Sequence, residues 1–151
     1  MTLDEQRLRN TRTPADLPFG IRKIGHVVLR VSDLARSVEF YTQVLGFKLS
    51  DVYPDEMMPG GMVFLRCNGD HHCLALVGGK DSEKDKSLHH LAFEVPSRSV
   101  VDERADWLRE NGAVIESGPE EYSYVPGYYA VFFYDPDGLK LEIVHIAALA
   151  A

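Results

Sequence analysis

The chain has 151 residues, 45% of them hydrophobic and 26% charged, a mixture that suits one compact domain with an ordinary core. Its net charge of −7 argues against a nucleic-acid binder, which needs a basic face to neutralise phosphates, and points to a small-molecule or protein partner. No apolar run approaches the length of a membrane-spanning helix, and the polar first twenty residues lack the apolar stretch of a secretory signal. Two cysteines, Cys67 and Cys73, are too few for a disulfide framework and read as free thiols of a cytoplasmic protein.

Residues 1–20 read as an extension without a core face, interrupted by Pro14 and Pro18. A first module spans residues 21–79. It opens with the strand "GHVVLRV" (25–31). The helix "SDLARSVEFYTQVLGF" follows, with Ser32 or Asp33 as N-cap and Gly46 just past its end. Leu34, Val38, Tyr41 and Leu45 fall at helical spacing and give it a buried face. "FKLSDVY", "MVFLRC" and "CLALV" are three further strands. Residues 80–87, "KDSEKDKS", carry no apolar side chain and read as a linker. The pattern then restarts over residues 88–146. "HLAFEV" is a strand, and "SVVDERADWLRENG" is a helix with Ser99 as N-cap and a stripe of Val101, Ala105 and Leu108. "AVIES", "YAVFFY" and "LKLEIVHI" are again strands, and residues 147–151 form a tail.

The two halves are a repeat. His26 matches His90 at an offset of 64, and "GDHHCLALV" (69–77) matches "PDGLKLEIV" (136–144) at 67. Each βαβββ unit is too small to bury its own sheet. The expected fold is therefore α+β, two modules pairing into a cup-shaped mixed sheet, within one chain or swapped between two.

Alternation along the strands selects the residues that can carry chemistry. Val27, Leu29 and Val31 share the uniformly apolar face that packs under the helix, so His26 points to the other side. The same parity places His90 there in the second module, and Glu142 on the same side of its own sheet. If the modules pair, two imidazoles and one carboxylate converge. That is a ligand set for a divalent ion with open positions, iron(II), manganese, nickel or zinc. A single strand histidine is more often structural; three residues at matching parity reverse that preference. The repeat places Ala75 where a fourth ligand would stand. His71 shares parity with Ala75 and is a candidate acid–base group, while His72 and His89 are expected to face away and His145 to be structural. The loop "EEYSYVPGYY" offers Tyr122, Tyr124 and Tyr128 as a wall for a planar substrate and Tyr129 as a further proton-handling candidate. The same tyrosines also suit a dimer interface.

"GHVVLRVSDLARSVEFYTQVLGF", "HHLAFEV" and "FYDPDGLKLEIV" resemble the vicinal oxygen chelate superfamily, which includes glyoxalase I, extradiol dioxygenases, fosfomycin-resistance proteins and bleomycin-binding proteins. The resemblance covers about residues 21–146. It implies a metal held by His26, His90 and Glu142, a small substrate with two neighbouring oxygens, and a homodimer. Glyoxalase I members carry a fourth ligand where this chain has Ala75. Three ligands and the "DHH" turn incline the reading to an extradiol-type dioxygenase on an aromatic diol, with iron(II) favoured. The further His and Tyr of such enzymes are missing from the second module, where Phe132 stands in the Tyr position. A glyoxalase-type lyase and a non-enzymatic binding protein are the alternatives.

Overall fold

A computed structural model describes residues 2–16, 23–79, 88–124 and 126–147. The expected linker, residues 80–87, lies outside the described residues, as do parts of the N-terminal extension and nearly all of the C-terminal tail. Within the extension, α1 (Glu5–Arg9) is a single short helix capped by Asp4, and it buries no residue.

The first module runs β1 (Val27–Arg30), α2 (Leu34–Glu39), β2 (Lys48–Tyr53), β3 (Met62–Arg66) and β4 (Leu74–Val77). The second runs β5 (Leu91–Glu94), α3 (Arg98–Glu110), β6 (Ile115–Tyr122), β7 (Tyr128–Tyr134) and β8 (Lys140–Ile146). The sheets have the orders β1-β4-β3-β2 and β5-β8-β7-β6, each with one parallel pair at the edge strand that opens its module. Their registers superpose the repeat. Ala75 pairs with Val28 and Phe64, and Glu142 pairs with Ala92 and Phe132.

Local sequence explains the helix ends. Asp33 caps α2 by accepting from the Arg36 N–H at 3.1 Å. The helix then widens into a π turn, Phe40–Val44, closed by Leu45 N–H donating to the Phe40 carbonyl at 3.0 Å. Apolar spacing over one turn does not separate an α from a π turn, so the sequence reads as one uninterrupted helix. Gly46 follows at φ +89°, a left-handed position that glycine takes without steric cost. In the second helix the cap is Ser97, not Ser99. Ser97 holds extended backbone and accepts from Val100 N–H at 3.3 Å, while Ser99 lies inside α3. The helix starts two residues earlier, and the added Arg98 and Ser99 are both exposed. Val101, Ala105 and Leu108 are its buried stripe, as the spacing predicts.

The helix-facing sides of both sheets merge into one core. Leu29, Val31, Val63, Leu65, Leu74 and Leu76 of the first module share it with Val101, Leu108, Val131, Phe133, Leu141 and Ile143 of the second. Polar contacts cross the same joint. Tyr41, fully buried, donates its hydroxyl to Asp135 Oδ2 at 2.9 Å, and Trp107 Nε1 donates to the Val44 carbonyl at 2.9 Å. Ser32 Oγ donates to Asp137 Oδ1 at 2.5 Å, with Arg36 Nη2 3.7 Å away. Burial pushes the Asp135 carboxyl above the usual aspartate range, against the opposing pull of its hydrogen bonds from Leu139 N–H, Tyr41 and Asp137 N–H. Tyr41→Phe removes one donor from that buried carboxyl and is expected to lower unfolding stability by about 1–3 kcal/mol, read by urea denaturation.

Candidate metal centre

His26 and His90 each stand immediately before the first strand of their module, on the side opposite the shared core. β8 carries Glu142 on that same side of its sheet, where Ala130, Phe132 and Val144 form a separate small cluster packed against Tyr122, Tyr128 and Ile146. This cover leaves Glu142 with no exposed surface.

His90 Nε2 lies 3.2 Å from Glu142 Oε1. The distance is within ion-pair reach, but the alignment does not make a hydrogen bond, and Oε1 is a buried oxygen without a hydrogen-bond partner. The other oxygen, Oε2, accepts from the Tyr128 hydroxyl. Burial and then the Glu142 carboxylate push the Tyr128 phenol well above its ordinary value. The carboxylate is thus held on one side and left open on the other, beside an imidazole nitrogen. A buried carboxylate oxygen next to an imidazole, with a second imidazole at the repeat-related position, fits a divalent cation that accepts N and O donors.

One chain does not gather all three residues. Among the described residues no three His, Cys, Asp or Glu side chains form a group able to hold a metal ion. The structure brings His90 to Glu142 and leaves His26 with the β3–β4 turn. There the His26 ring sits 4.7 Å from His72, and His72 stacks edge-on against Phe64 at 4.9 Å. His71 is also present, its Nδ1 2.9 Å from His72 Nδ1. Burial, then the neighbouring His26 and His71, lower the His72 pKa.

Three sequence expectations change here. His72 does not face away: it is the histidine against His26, while the His71 ring lies 5.8 Å from Phe64, the register partner of Ala75. Strand alternation has no force at these residues, because they lie in a turn and β4 begins only at Leu74. His89 likewise does not diverge from His90; their Nδ1 atoms lie 2.7 Å apart. Tyr129 lies with the shared core, its hydroxyl bonded to Asp102 of α3 at 2.5 Å and its ring under the Arg98 guanidinium at 4.4 Å. It therefore belongs to the side opposite Glu142. His145 contacts the Val95 carbonyl at 3.3 Å, a structural placement.

The tyrosines of the β6–β7 connection do gather beside the carboxylate. Tyr122 and Tyr124 are stacked, centroids 5.5 Å apart at 7°, and Tyr128 meets Tyr124 edge-on at 5.1 Å. The bond from Tyr128 to Glu142 has a signal in the sequence that the residue-type argument passed over. Tyr128, Ala130 and Phe132 alternate onto one face, and Phe132 is the register partner of Glu142.

Comparisons with known proteins place the chain in a family. The family model described as "Glyoxalase/Bleomycin resistance protein/Dioxygenase superfamily" matches residues 23–143. The chain is 34% identical over 127 residues to a biphenyl-2,3-diol 1,2-dioxygenase of Paraburkholderia xenovorans, covering 82% of this chain and 41% of that protein. It is 32% identical over 128 residues to a lactoylglutathione lyase of Neisseria meningitidis, covering 81% of this chain and 89% of that protein. The chain thus spans about two fifths of the dioxygenase and most of the lyase. Among solved structures, glyoxalase I of Leishmania major matches with a TM-score of 0.66 at 27% identity, covering 83% of this chain and 87% of that one. With the repeat, the sheet orders and a matching family model over most of its length, the chain belongs to the glyoxalase/bleomycin resistance protein/dioxygenase superfamily.

Proposed function

We propose that the chain is a metal-dependent enzyme of this superfamily, acting on a small molecule with two neighbouring oxygens, with an extradiol-type dioxygenase on an aromatic diol as the preferred reading. The observation that carries it is Glu142: a fully buried carboxylate with Oε1 unbonded beside His90 Nε2. A buried acceptor without a hydrogen bond costs about 1–3 kcal/mol, less whatever the His90 imidazole at 3.2 Å returns, and a bound cation would offset that cost. His26, His90 and Glu142 would hold the ion, iron(II) by preference, with manganese, nickel or zinc also suited to the donor set. When bound, such an ion supplies Lewis acidity toward the two substrate oxygens.

The remaining work falls to the chain's own residues. Tyr128 orients Glu142 through Oε2. The Tyr122–Tyr124 stack and Phe132 line the approach and would exclude water from one face of a planar ring. His72, in contact with His26, is the group best placed to hold or move a proton at its imidazole, with His71 behind it.

Because one chain separates His26 from His90 and Glu142, the reading requires a homodimer in which each site takes His26 from one copy and the other two ligands from its partner. The free edges of β1 and β5 and the half-open Val28, 46% exposed on the His26 side, support it.

Elemental analysis of the purified chain, followed by oxygen uptake with a panel of catechols under each metal, tests the proposal. Iron with oxygen consumption supports the dioxygenase. A chain that retains no metal and gains no activity from iron(II), manganese, nickel or zinc is a binding protein, and the proposal is then wrong.

The glyoxalase-type lyase is the second reading, favoured by the match over 89% of the lyase. Ala75, fully buried between Val28 and Phe64, separates the two readings. Ala75→Glu is expected to add a fourth ligand, tighten metal binding by about tenfold or more and remove oxygen uptake, as seen by metal titration and by the ligand-field spectrum of a cobalt-substituted sample. Unchanged affinity and spectrum would show that position 75 does not face the ion.

A further inference from the structure

Cys67 and Cys73 flank the β3–β4 turn, the first just after β3 and the second just before β4. Both are free thiols, and their sulfurs are in contact at 3.5 Å. The backbone fixes Cys73: its N–H donates to the Leu65 carbonyl at 2.9 Å, and its carbonyl accepts from Val27 N–H at 3.0 Å. Cys67 is the exposed member, at the wall of a cavity of about 200 Å³ that it shares with Trp107 and Arg104 of α3. Among the described residues the Arg104 guanidinium makes no hydrogen bond or ion pair, so a positive charge faces the same space.

We propose that Cys67 and Cys73 are an oxidation site for hydrogen peroxide, Cys67 attacking and Cys73 resolving, that closes a reversible disulfide across the base of the β3–β4 turn. The Cys67 thiolate attacks the peroxide; an S–O bond forms, the O–O bond breaks, and the departing oxygen leaves as water after taking a proton. Cys73 sulfur then attacks the resulting sulfenic acid; the S–S bond forms, the S–O bond breaks, and a second water carries off the Cys73 proton. Two thiols are oxidised and one peroxide is reduced to two waters. The sulfurs, 3.5 Å apart, need to approach by about 1.5 Å to reach a bond of about 2.05 Å.

The order of events follows from exposure. Burial, with a further push from Cys67, raises the Cys73 thiol to about 11, so little of it is thiolate at neutral pH. A resolving thiol in contact also diverts Cys67 from the irreversible sulfinic and sulfonic acids. The inference does not depend on the metal site.

The test is a hydrogen peroxide titration of the reduced full chain, with chelator present. The expected result is loss of both titratable thiols, a mass decrease of about 2 Da, a Cys67–Cys73 cross-linked peptide within one chain, and recovery on adding dithiothreitol. Cys73→Ser should convert Cys67 to sulfinic and sulfonic acid, and Cys67→Ser should slow oxidation of Cys73 by about tenfold or more. Accumulation of oxidised Cys67 in the wild type with Cys73 still free, or disulfides only between chains, would overturn it.

Discussion

Mixing two variants that each fail to bind metal, His26→Ala and Glu142→Ala, is expected to restore binding that neither shows alone. In the proposed dimer the first variant lacks one ligand in both of its sites, and so does the second. A mixed dimer concentrates both defects in one site and leaves the other with His26, His90 and Glu142 intact. If subunits exchange at random from equal amounts, half of the dimers are mixed, and about one quarter of all sites should load. Sites built within one chain give no recovery at any mixing ratio. Equilibrium dialysis against iron(II) under anaerobic conditions, after mild unfolding and refolding of the mixture, measures the fraction directly. A wholly intrachain site would also contradict the separation of His26 from His90 and Glu142 seen in the chain.

The second large effect sets stability against function at Glu142. Replacing it with leucine removes the buried acceptor that has no hydrogen-bond partner and fills the place with apolar atoms beside Phe132. The change also releases the Tyr128 hydroxyl, which is half-buried and reaches water more readily than a carboxylate at zero exposure. Glu142→Leu should therefore unfold at equal or higher temperature than the wild type in the absence of metal, by about 1–3 kcal/mol at most, while losing at least about 100-fold in metal affinity. A marked loss of stability in the metal-free variant would mean that the carboxylate is a satisfied structural group rather than an unfilled ligand. The paired measurement, calorimetry and metal titration on one sample, keeps the two outcomes apart.

How far the sequence revealed this molecule depended on where regular periodicity held. Inside β1, β5 and β8 alternation assigns faces correctly, so His90 and Glu142 appear on one side of their sheet from residue order alone. The same argument failed at His72, because a turn between strands has no fixed alternation. It also could not anticipate that the apolar faces of both modules join in one core around α2 and α3. Hydrophobic spacing states that a face is buried and is silent about what buries it. That is why the shared side of His90 and Glu142 was legible while the assembly of the modules was open to two arrangements. Ser97 and Ser99 illustrate a smaller ambiguity: both are good caps by residue type, and only the backbone before the helix distinguishes them.

The contacts of the β7–β8 turn give the repeat a polarity. Asp135 receives Tyr41, and Asp137 receives Ser32 with Arg36 nearby. At the matching turn of the first module Asn68 stands in place of Asp135, and α3 contains no tyrosine to offer it. At the Tyr41–Asp135 pair the halves are therefore donor and acceptor, whereas Asp70 keeps the counterpart of Asp137 and Trp107 returns a bond to Val44. A tandem of two first modules would set each Tyr41 hydroxyl against an asparagine in place of Asp135, and a tandem of two second modules would leave each Asp135 carboxylate without the tyrosine that donates to it. Although the halves are a repeat in sequence, exchanging one for a copy of the other removes the buried tyrosine–aspartate bond from the joint between them.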